Sequence, residues 1–224
     1  MATLAAFPDQ GGQTKTYSVK KISRAISLTG RGDDPGWQQA RVLTDFSYPW
    51  EKDKPLTTKF RALHNDDWLY CLFDVTDHHV VLATDPDDKS AVASSTRAEI
   101  FFRIDEKLAP YFCLELDPQG RVLDYKATYY RKFDSSWSWP AGHLILKTSR
   151  TKDGYTIEAA ISKKSLAKLG VLNDNTLQAG LFRADCLEAG NSDANFKGVS
   201  WVKPDSEKPD FHIPSSFGLL VLED

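Results

Sequence analysis

The chain is poor in sulfur. It has one methionine, Met1, and three widely separated cysteines, Cys71, Cys113 and Cys186, in 224 residues. With no methionine beyond Met1, a haem site with a methionine axial ligand has no internal donor. No CxxC pair occurs, which argues against a zinc site of the usual spacing. An odd count cannot pair fully within one chain, and the reading favoured by these spacings is three buried thiols in strands. Charge of one sign is lacking too: 28 basic against 31 acidic residues leave a net charge of −3. The densest basic stretch, Tyr129-Tyr130-Arg131-Lys132, is too short for a nucleic-acid footprint, so no nucleic-acid partner is expected. No apolar run reaches membrane-spanning length, so no membrane insertion is expected. Residues Met1 to Gln13 show no charged segment followed by an apolar one and do not read as a signal peptide as they stand.

Aromatic residues are plentiful, with six Trp, twelve Phe and eight Tyr. Flat rings suit a pleated, half-buried surface and tilt the reading toward strands. Strands are expected over 17–22, 57–63, 68–75, 98–104, 111–116, 121–129, 144–148, 155–161, 177–187, 199–202 and 217–222. Turn sequences separate them, notably Asn65-Asp66-Asp67, Asp117-Pro118-Gln119-Gly120 and Lys152-Asp153-Gly154. One short helix is expected over 162–169, with Ser162 able to cap it and Gly170 to end it. Helices and strands do not alternate, so a parallel sheet is not expected. The expectation is an all-β, antiparallel, jelly-roll-like sandwich of one domain over residues 16–224, after a flexible leader at 1–15.

Sugars present apolar C–H faces and a rim of hydroxyls, so a sugar site needs rings beside polar groups. Trp137 and Trp139, alternating in a polar loop, suit stacking. Trp37 and Trp68 directly precede strand patterns and read as core, while Trp50 reads as either a lid or a packed loop. Glu99, Glu158 and Arg183 are charges within strands. They form either a polar cluster facing a ligand or partnered buried ions. For Glu158 the structural role is favoured. Glu99 with Glu115 or Glu158 could also serve as the paired carboxylates of a glycoside hydrolase. Asp85, Asp87 and Asp88 offer oxygen ligands for a structural calcium, although their spacing is not that of an EF-hand. His78 and His79 read as solvated and His212 as a packing residue.

Several stretches, taken in order, resemble the family 9 carbohydrate-binding modules. They are Asp34-Pro35-Gly36-Trp37, Asp67-Trp68-Leu69-Tyr70, Phe73-Asp74-Val75-Thr76-Asp77 and Arg97-Ala98-Glu99-Ile100-Phe101-Phe102. Gly154 to Ile161, Leu181-Phe182-Arg183, Ser200-Trp201 and Phe211 to Gly218 complete the series. The resemblance covers nearly the whole chain and implies a β-sandwich that binds carbohydrate without catalysis. Family members clamp a sugar ring between two tryptophans and bind its hydroxyls with polar groups that include a strand glutamate. Glu99 matches that glutamate and Trp201 the later tryptophan. The earlier one should fall within 91–96, where this chain has no aromatic, so that half of the clamp is missing or supplied from elsewhere. The site expected on these grounds is Trp201, Trp137 and Trp139 for stacking, with Glu99 and Arg183 for hydroxyls. The ligand would be an oligosaccharide derived from a polysaccharide. The resemblance also suggests structural calcium and an attached or associated glycoside hydrolase. The expected setting is secreted, periplasmic or extracellular with a signal removed, and a cytoplasmic one stays open. A structural or protein-interaction module that has lost sugar binding is the rival reading.

Overall fold

The computed structural model describes residues 14–84, 89–188 and 196–224. The expected leader therefore lies almost wholly outside the described residues, as do Asp85, Asp87 and Asp88. The strands, in chain order, begin with β1 (Thr16–Lys21), β2 (Thr58–His64), β3 (Trp68–Thr76) and β4 (Arg97–Arg103). Next come β5 (Tyr111–Leu116), β6 (Val122–Thr128), β7 (Lys132–Asp134), β8 (Leu144–Thr151) and β9 (Gly154–Ser162). β10 (Leu172–Asn173), β11 (Thr176–Cys186), β12 (Phe196–Ser200) and β13 (Gly218–Leu222) close the series. One short α-helix, α1 (Lys163–Lys168), follows β9, and three 3-10 turns complete the regular structure described.

Two sheets form. The larger runs β7-β6-β5-β4-β11-β13-β1, and the smaller runs from β1 through β2, β3 and β9 to β8. β1 belongs to both. Thr16 to Val19 pair with β13, and then Lys20 and Lys21 pair with β2. Both pairings are parallel, which refines the expectation of a purely antiparallel sandwich: the chain enters between two edges and continues each in its own direction. β11 holds β4 along one side, while the other side is shared by β13 at Thr176–Ala179 and β12 at Phe182–Cys186. This pairing starts β12 at Phe196, three residues before the expected start.

The strands alternate, but both faces of several are buried. Between the sheets lie Tyr17, Phe60, Phe73, Phe102, Leu114 and Leu181, with many smaller neighbours. On the outer face of the larger sheet, Phe101, Tyr111 and Phe182 are covered by Phe211 and Phe217 from the segment between β12 and β13. On the outer face of the smaller sheet, Tyr70 and Leu72 are covered by Ile22, Ile26 and Trp37. The second cover explains why β3 reads as apolar on both faces, a pattern that otherwise signals a central strand.

Glu158 lies under the second cover and is structural, as expected. It accepts from Trp37 Nε1 at 2.8 Å and from Thr29 N at 2.9 Å, and it also accepts from Gly30 N. A buried carboxylate is tolerated only with such partners. Cys71, Cys113 and Cys186 are buried and unpaired, each within a strand. Among the described residues, no helix is long and apolar enough to cross a membrane.

Candidate functional site

A cleft of about 600 Å³ opens on the outer face of the larger sheet. That size falls in the ordinary range for small-molecule sites. Strand alternation builds its floor. Ala98, Ile100 and Phe102 of β4 point into the sandwich, so Arg97 and Glu99 point out. On β5 the same parity turns Glu115 outward, and the register sets it directly opposite Glu99. Tyr125 of β6 stands beside them and donates to Glu115 Oε1 at 2.7 Å.

Arg97 lies between the two carboxylates. Its Nε is 2.9 Å from Glu99 Oε1 and 2.6 Å from Glu115 Oε2. One N–H cannot point at two oxygens, and neither contact is aligned as a hydrogen bond. The guanidinium also donates to the carbonyls of Ala93 (2.8 Å) and Ser95 (3.2 Å), which hold it down from the preceding 3-10 turn. Glu99 is 2% exposed. Burial, and after it the charge of Glu115, pushes its carboxyl up to about 8, against the pull of Arg97. The raised carboxyl favours the protonated form of Glu99, which can donate as well as accept. Buried polar atoms are normally paired. Glu99 Oε1 and Glu115 Oε2 have the charge of Arg97 Nε beside them but no aligned hydrogen bond, and both residues line the cleft.

Aromatic rings supply the walls. Phe133 of β7 packs edge-on against Tyr125 (5.4 Å) and His212 (5.0 Å) and is 46% exposed. Phe196, at the start of β12, lies under the Arg97 guanidinium at 5.4 Å. Trp50 rests against Phe211 at 5.6 Å, with its Nε1 donating to Ser206 O. His212 packs as expected. It stacks on Phe101 and shares a 3.0 Å hydrogen bond with Tyr111, and burial holds its imidazole near 3, hence neutral.

Of the five residues expected to contact sugar, only Glu99 lines this cleft. Trp201 is 2% exposed and belongs to the core between the sheets, its ring 2.8 Å from where a Cβ on Gly218 would be. Trp139 is buried against Phe102, and Trp137 packs on Phe112. Both partners point inward, so these two tryptophans seal the sandwich interior. Arg183 is 0% exposed and sits one residue out of phase with Phe182, the partner of Glu99. It therefore turns inward, 3.2 Å from Asp185 and 3.9 Å from Asp77. Glu99 and Arg183 lie on opposite faces and form no common cluster. Glu158 is on the other sheet, and the space between Glu99 and Glu115 holds a guanidinium where a hydrolase would need a scissile bond.

The segment lacking an aromatic before Glu99 forms a 3-10 turn, Lys89–Ser94, and Ala93 lines the cleft there. Rings come instead from Phe133, Phe196 and Trp50. The signal for Phe133 was present in the aromatic density of Tyr129, Tyr130 and Phe133. Phe196 follows a Gly- and Asn-rich loop and carried no such signal. Among the described residues, no three potential metal ligands converge.

Fold and cleft together define a β-sandwich domain with an aromatic-walled, polar-floored recess on one sheet. The chain belongs to the carbohydrate family 9 binding domain-like family, whose model matches residues 28–224. No curated protein matches it. Among solved structures, it is similar to a candidate carbohydrate-binding protein from Bacteroides uniformis. The TM-score is 0.72 at 19% identity, covering 94% of this chain and 100% of that one. It is also similar to a family 9 carbohydrate-binding module from Caldicellulosiruptor kristjanssonii, solved with cellotriose and with glucose. The cellotriose complex gives a TM-score of 0.59 at 20% identity, over 93% of this chain and 94% of that one. The glucose complex gives 0.59 at 18%, over 93% and 96%.

Proposed function

We propose that this domain binds carbohydrate, without catalysis, in the cleft over β4, β5 and β6. The observation that carries the reading is the buried Glu99–Arg97–Glu115 cluster, whose carboxylate oxygens Glu99 Oε1 and Glu115 Oε2 are ion-paired but accept no aligned hydrogen bond, on the floor of an aromatic-walled recess. Acceptors meet sugar hydroxyls, and ring faces meet sugar C–H faces. Family membership supports the reading, as do the glucose and cellotriose complexes of the Caldicellulosiruptor module. Phe196, Phe133 and Trp50 offer the rings, and the Glu99 and Glu115 carboxyls offer polar partners for hydroxyls. The ligand class is a neutral oligosaccharide released from a polysaccharide. That ligand fits a setting outside the cytoplasm and an associated hydrolase that supplies it.

The test is tryptophan fluorescence and calorimetry against a panel of mono- and oligosaccharides. Trp50 is the reporter in the cleft. A saturable response is expected, weakened about tenfold in Phe196→Ala, the loss of roughly one stacking contact. No response across the panel would favour the interaction-module reading.

A further inference from the structure

The three most exposed large hydrophobic side chains among the described residues share one hairpin. Tyr130 is 52% exposed, Tyr129 is 50% and Phe133 is 46%. Tyr129 and Tyr130 form the β6–β7 turn, and Phe133 lies just beyond it on β7. Exposed rings in loops are usually free to move, but these are fixed. Tyr130 donates its hydroxyl to Asp210 Oδ2 at 2.6 Å. Arg131 donates to the other oxygen of the same carboxylate at 3.1 Å, and its guanidinium lies 5.5 Å from the Phe133 ring centre. Tyr129 meets Tyr130 edge-on at 5.3 Å, and its backbone N–H is bonded to Leu108 O.

Arg131, Phe133 and Asp210 all line the cleft. The two tyrosines are therefore continuous with it, tied to its wall through Asp210. The geometry points to a second contact area: Tyr129 and Tyr130 take the later units of a carbohydrate chain whose end occupies the cleft. The inference rests on the carbohydrate reading of that cleft. Tyrosine suits the role, because its large, stiff ring loses little freedom on binding. The area also decides between occupants. Three half-exposed rings offer roughly 300 Å², well short of the roughly 800 Å² that each partner contributes to a stable protein interface. One or two sugar units need far less. Alternating rings with Arg131 and Asp210 also gives the hydroxyl rim its polar partners.

The test is calorimetry of the full chain with two series: glucose, cellobiose and cellotriose, and xylose, xylobiose and xylotriose. In the series that binds, the trimer should bind about tenfold tighter than the monomer. Tyr129→Ala/Tyr130→Ala should abolish that advantage and leave monomer affinity unchanged. Tyr130→Phe, which keeps the ring, should retain most of it and so guards against a folding defect. An advantage that persists in the double variant would overturn the ridge while leaving the cleft standing. Failure of every sugar in both series would sink the cleft reading and the ridge with it. Self-association of the wild type, lost in the double variant, would reassign the ridge to a protein contact.

Discussion

Glu99 and Glu115 face each other across the β4–β5 ladder, and both approach one atom, the Nε of Arg97, at 2.9 and 2.6 Å. Two acids and one base in a buried place leave one acid without a full counter-charge. Its cheapest answer is to keep a proton. That arrangement makes the cleft floor sensitive to pH.

The direction follows from the raised carboxyl of Glu99, which ionises near 4.5 in the unfolded chain and at about 8 in the fold. Between those values the folded state holds the extra proton, so stability falls as pH rises through the window. While Glu99 alone differs, the loss is about 1.4 kcal/mol per pH unit. Urea denaturation from pH 5 to 8 should show it. Glu99→Gln, which cannot ionise, should remove that part of the slope. An unchanged slope in the variant would mean that Glu99 is not the titrating group.

Trp201 should matter to folding rather than to ligand. Its ring is enclosed between the sheets, against Gly218. Trp201→Ala removes a fully buried ring and should cost about 3–5 kcal/mol. The milder Trp201→Phe should lower Tm and leave sugar affinity unchanged in the folded protein. Lost affinity at unchanged Tm would return Trp201 to the binding site.

The three thiols should be silent in the native state. Burial raises all three, Cys186 to about 11 and the other two further. The thiolate is the reactive form. An aromatic disulfide reagent should label none of them in the native protein and all three in guanidinium chloride. Labelling of fewer than three after unfolding without reductant would reveal a disulfide.

Much of this architecture could be read from residues, because period-two alternation and turn chemistry are local properties. The hairpins around Asp117-Pro118-Gln119-Gly120 and Lys152-Asp153-Gly154 formed with strand ends within a few residues of expectation. β7 and β10 were not legible, since two or three residues carry no period and their pairing is set by the neighbouring strand. The site was harder. Glu99 could be found from its strand, but its grouping with Arg183 failed on parity. Which face Arg183 takes depends on the register of β11 against β4, a long-range pairing. Tryptophans were favoured as contacts because of their size, and that same size drew Trp139 and Trp201 into the core.

The strand that passes from one sheet to the other has a mechanical consequence. Four residues of β1 are bonded to β13 and the next two to β2, with no slack between. Sliding one layer over the other would shear hydrogen bonds at this shared seam, so the layers translate together. The recess is carved into one layer only, yet both brace it. A ligand arriving there meets a preset surface, and what adjustment remains is left to the side chains at its rim.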